Sequence, residues 1–65
     1  MNTPTPDYEF TDARVMHDEM ERNGWGHQMQ YNTAVVSNAI KHDWIDNGRQ
    51  AAIAKCGEHY HVWIK

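Results

Sequence analysis

At 65 residues, 40% hydrophobic and 23% charged, the chain has room for one small domain. Its single cysteine excludes an internal disulfide, and its net charge of −3 argues against a nucleic-acid-coating role. No segment approaches the roughly 20 apolar residues of a membrane span. A lone thiol, with no basic-then-apolar leader, fits a reducing, cytoplasmic setting. A domain this short buries only about 60% of its unfolded surface. It rarely nets more than roughly 3–5 kcal/mol without a staple.

The chain begins with an extended N-terminal arm, residues 1–10, which holds both prolines. Tyr8 and Phe10 are placed to tack it onto the single domain of residues 11–65. Thr11 can cap a helix from Asp12 to about Asn23, stopped by Asn23-Gly24. Ala13, Met16 and Met20 share its apolar stripe, flanked by His17, while Arg14, Asp18 and Glu21 face away. Charge is concentrated here: through Gly24, six acids stand against two arginines, whereas three acids stand against four bases in the remainder.

The stretch from Trp25 to Tyr31 reads two ways. Gly24 and Gly26 break helix, and His27 to Tyr31 alternates polar with apolar as an edge strand or a loop would. Asn32 or Thr33 then caps a second helix through Asp46, ended by Asn47-Gly48. Its stripe reads Val36, Ala39, Ile40 and Trp44, with Asp43 in conflict at its centre. A carboxylate at a core position needs a partner or marks where the helix leaves the core.

Residues 51–56 and 59–64 flank Gly57-Glu58, which suits a hairpin with a type II′ turn. That register sets Cys56 opposite His59, Ala54 opposite His61 and Ala52 opposite Trp63. The other face carries Ile53 opposite Val62, Ala51 opposite Ile64 and Lys55 opposite Tyr60. The expected fold is α+β, with two helices packed on the Ile53/Val62/Ile64 face of this C-terminal antiparallel hairpin. Residues 27–31 are the candidate third strand.

Four kinds of function can be weighed. A metal would use Cys56, His59 and His61, but zinc wants four ligands and no second cysteine exists. No cofactor is expected. Catalysis by Cys56 with His59 or His61 lacks an orienting group and an oxyanion site, and so short a chain has little material for a pocket. The pairs His17-Asp18 and His42-Asp43 point about 100° apart on a helix and make no dyad. The chain is expected not to be an enzyme.

Thr33 to Lys65 resembles the recognition-helix-plus-wing half of a winged-helix domain, through Val36-Ser37-Asn38-Ala39-Ile40, Trp44-Ile45-Asp46-Asn47-Gly48 and the hairpin. That resemblance implies Ser37, Asn38, Lys41 and His42 toward a major groove and Lys55 near a wing tip. The family's preceding helix is replaced by Gly-Trp-Gly-His, and the surface is nearly free of arginine.

The fourth function is protein binding, and it is the one expected. Trp63, His61, His59, Ala54 and Ala52 would form a patch with an aromatic anchor and little charge. A helix or the arm folding over this face would instead bury Trp63. Asp18 and Glu21 would steer a partner from the acidic helix. Small acidic domains of this kind are typical of phage and mobile-element accessory proteins, which bind a host protein and block or redirect it. A homodimer through the same face is a close variant.

Overall fold

A computed structural model describes residues 4–65 as six elements. In chain order they are β1 (Tyr8–Phe10), α1 (Ala13–Arg22), β2 (Gly26–Tyr31), α2 (Ala34–Asp46), β3 (Ala51–Cys56) and β4 (His59–Ile64). Local chemistry fixes the boundaries. Asp12 caps α1, its Oδ1 accepting from the Arg14 N–H at 2.8 Å, one residue later than the Thr11 cap expected. Thr33 caps α2 through the Val36 N–H. Both helices stop at Asn-Gly by one device. Asn23 and Asn47 turn their side-chain amides back onto the carbonyls of Glu19 and Asp43. Gly24 and Gly48 then take φ of +89° and +86°, where a side chain would strain the backbone.

The hairpin register is the one read from the sequence, from Ala51↔Ile64 to Cys56↔His59. Gly57 has φ +62° and Glu58 stays negative, as a type II′ turn requires. The sheet, however, has four strands in the order β1-β3-β4-β2 and is mixed. Tyr8–Phe10 of the supposed arm runs parallel to β3, with Tyr8 beside Ala54 and Phe10 beside Cys56. The ambiguous stretch is strand β2, antiparallel to β4 at the other edge, with a register shift between His27 and Met29.

This strand order decides where the helices go. The α1 connection crosses the sheet from β1 to β2, edge to edge, and the α2 connection returns from β2 to β3. Both join parallel strands, and such crossovers are right-handed. Crossovers running in opposite directions therefore use opposite faces. Burial agrees: Ala52, Ile53 and Ala54 are consecutive and buried, as are His61, Val62 and Trp63. Both faces of the hairpin are covered. Met16 and Met20 of α1 pack with Ala52, Ala54 and Trp63, while α2 lies over the Ile53/Val62 side of β3 and β4. The expectation of two helices sharing one face is thereby corrected.

The α2 stripe is also displaced. Its sheet-facing residues are Ala34, Ser37, Ile40, Lys41 and Trp44, whereas Val36 and Ala39 are exposed. Asp43 is consequently on the solvent side and the conflict at that position disappears. Ser37, fully buried, satisfies its hydroxyl by donating to the Ala34 carbonyl at 2.9 Å.

Trp63 is a core residue, 0% exposed. Truncation of a buried tryptophan costs about 3–5 kcal/mol, close to the whole stability of a domain this size. Trp63→Ala is expected to leave the chain largely unfolded at 25 °C by circular dichroism. A native spectrum with an unchanged denaturation midpoint would refute the assignment.

Candidate functional site

The covering of the Trp63 face changes what the sequence candidates can do. Trp63, Ala54, Ala52 and His61 lie under α1 at 0%, 0%, 4% and 7% exposure, so they are core and not a docking patch. The physical reason is the crossover geometry: α1 must use this face because α2 uses the other. Of that group only His59, near the turn, is exposed, and Asp18 and Glu21 are exposed on the outer side of α1.

What the fold assembles on the covered face is an imidazole cluster that no local motif announces. His61 projects from β4, His27 from β2 and His17 from α1. His27 Nε2 and His61 Nδ1 are 2.9 Å apart, a hydrogen bond in which one ring donates and the other accepts. The His17 and His27 ring centres are 5.2 Å apart, and both rings stand edge-on to the Trp63 indole at 5.1 and 4.9 Å. His17 Nδ1 lies 3.1 Å from Glu21 Oε2, one helical turn on. The indole Nε1 is buried and has no hydrogen-bond partner among the described residues.

This environment acts on the ring charges. Burial, followed by the neighbouring His27, His17 and His59, pushes the His61 pKa down to about 4. His27 is also lowered, by burial first and then by His17, with Glu21 opposing. Both rings are thus held neutral at pH 7.

Other candidates divide differently. Cys56 and His59 face each other across the hairpin, with the thiol half-buried against the core. Among the described residues, no group of three or more His, Cys, Asp or Glu side chains forms a set that could hold a metal ion. Of the groove-reading candidates, Ser37 is buried and Asn38 half-buried. Lys41 points back to Asp7, Nζ to Oδ2 2.9 Å, and Lys55 lies over the Tyr60 ring. Only His42 is exposed. Ser37 and Lys41, two of the residues that would read a groove, are on the sheet-facing side of α2. An open depression of about 400 Å³ at the β1–α1 junction, lined by Glu9, Phe10, Thr11, Asp12 and Val15, gathers none of the candidate residues.

The outward face of α2 is the feature that sequence reasoning passed over. Val35 is 66% exposed, Val36 47% and Ile45 42%, with Ala39 exposed between them. Val35 and Val36 lie one turn from Ala39, so the three are neighbours on the helix surface. A helix with one face on a sheet ordinarily turns polar residues to water. The signal was present as apolar residues spread around the whole helix, but it was absorbed by placing Val36 and Ala39 in the core.

No protein-family model matches the chain, and neither a curated protein nor a solved structure matches it. Among the described residues, no helix is long and apolar enough to cross a membrane.

Asp7 links three elements. Its Oδ2 accepts from the Ile53 N–H at 2.9 Å and from Lys41, and its own N–H donates to the Ile53 carbonyl. Lys41→Ala removes only a partly exposed ion pair and is expected to cost under about 1 kcal/mol. Asp7→Ala strands the Ile53 N–H and is expected to cost about 1–3 kcal/mol. Urea midpoints measure the contrast, and equal losses would contradict it.

Proposed function

We propose that this chain is a small non-enzymatic protein-binding module that acts by occlusion, covering the working surface of a host or cellular protein. The observation that carries the reading is the apolar outward face of α2, where Val35, Val36 and Ala39 form an exposed patch that none of the described residues covers. An apolar cluster rimmed by polar groups is the composition of an interface centre. The rim here is Asn32, Thr33, His42 and Asp43, all exposed. Burial of Trp63 and exposure of the valines favour α2 over the Trp63 face as the contact surface.

The acidic outer side of α1, with Asp18, Glu19 and Glu21 exposed, lies across the sheet from that patch. Its role is steering, through the field of the molecule, which changes association rate more than affinity. The accessory type encoded by phages and mobile elements remains the class that size and charge favour. Self-association through α2 is the close variant. Nucleic acid is left out of the proposal, because Ser37 is buried and Lys41 is engaged by Asp7.

The experiment is capture from nuclease-treated lysate by the wild-type chain beside Val35→Asp/Val36→Asp. Both positions are in the first turn of α2, where a carboxylate favours the helix, so the fold should survive by circular dichroism. The expected result is one stoichiometric protein bound by wild type and weakened at least about tenfold in the variant, since truncating central interface anchors costs 2 kcal/mol or more. Equal capture by the folded variant would overturn the assignment to α2. A wild-type dimer that the variant abolishes, seen by light scattering, would assign the patch to a second copy.

A further inference from the structure

Three of the five histidines, from three separate elements, form one cluster in which His17 and His27 meet the buried Trp63 indole and His61 meets His27, and the proposed binding surface uses none of them. Their geometry has a consequence for protons. Between His27 Nε2 and His61 Nδ1 there is room for one proton, held by the donor and accepted by the other ring. One proton added to the neutral pair makes a single imidazolium that still donates across the bond. Only a second added proton removes the acceptor and sets two imidazolium rings 5.1 Å apart at their centres. His61 is 7% exposed, so water cannot solvate its charge where it stands.

The surroundings offer little compensation. From α1 the cluster faces His17 and Glu21; from β2, His27; from β4, His59 beside His61; from β3, Cys56 opposite His59. Glu21 is the one carboxylate among these, and its contact is with His17, on the exposed side. We propose that the His27–His61 pair, with His17 of α1 packed against it, is an acid-sensitive latch: neutral or sharing one added proton, the pair lets α1 sit on the sheet, and doubly protonated, it drives α1 off and uncovers Trp63, Ala52 and Ala54.

The sign follows from linkage. His61 has a folded-state pKa of about 4, below that of a free histidine, and His27 is shifted the same way. Above the ordinary histidine range neither state binds the protons, and stability is complete. As pH falls below about 6.5 the opened state takes up protons that the closed state excludes. Each excluded proton raises the opening constant about tenfold per pH unit until the closed-state pKa is reached. Acid opens the latch, and neutral pH closes it.

The test is amide hydrogen exchange on the wild-type chain between pH 7.5 and 5.0, where most carboxylates stay ionised, corrected for intrinsic rates. Protection of the α1 amides is expected to fall at least about tenfold more than that of the α2 amides over this interval. Side-chain resonances read the same event in the intact protein: His61 should remain neutral through pH 5.5 in the closed state. His27→Gln, at an exposed edge position, is expected to flatten the pH dependence of α1. The latch is overturned if His61 titrates near 6.5 with α1 still protected, or if α1 and α2 lose protection together. It is equally overturned if folded His27→Gln keeps the wild-type pH profile.

Discussion

Everything in this molecule depends on the direction of two crossovers. One runs from the β1 edge of the sheet to the β2 edge, and the other returns to β3. Right-handedness then forces α1 and α2 onto opposite faces. The β3–β4 hairpin becomes a central layer with both sides out of water, which explains why its middle is buried in runs of three instead of alternately. A 65-residue chain gains from this arrangement, because the middle residues of both hairpin strands are buried on both faces.

The same constraint sets the chemistry. Once α1 is committed to the Trp63 side, His61 on β4 is enclosed with it, His27 on the β2 edge lies beside it, and His17 arrives from above. Imidazole is an economical filler here, being flat enough to stand against an indole and able to satisfy one ring nitrogen on another. It is also the one side chain whose charge changes near neutral pH. A face that looked like a contact surface is thus a core with an ionisable edge, while the exposed apolar residues lie on the outer side of α2.

The inner and outer faces of α2 also stand in a shared balance. Both sides of α2 mix apolar and polar residues, with Ala34, Ile40 and Trp44 toward the sheet and Val35, Val36 and Ala39 toward water. Such a helix has no strong preference built into its pattern for which side turns inward. Ser37 tolerates burial because its hydroxyl is bonded within its own turn, and the Lys41 ammonium reaching Asp7 ties that side of the helix to the sheet. The valines are left outside.

Much of the local structure was legible because it rests on local causes. Asn-Gly twice stopped a helix, Thr33 capped one, Gly57 turned the hairpin, and the alternation of residues 51–64 fixed its register. The sequence by itself determined α+β class, the two helices and which hairpin residues share a side. What only the tertiary structure decided was which sides meet. The parallel pairing of Tyr8–Phe10 with β3 joins residues some 45 apart, a contact that no local pattern encodes. The register shift between His27 and Met29 turns their side chains to opposite faces, so strict alternation could not place His27 beside His61. Topology, not propensity, put α1 over Trp63, because the hand of a crossover is a property of the strand order and the strand order is non-local.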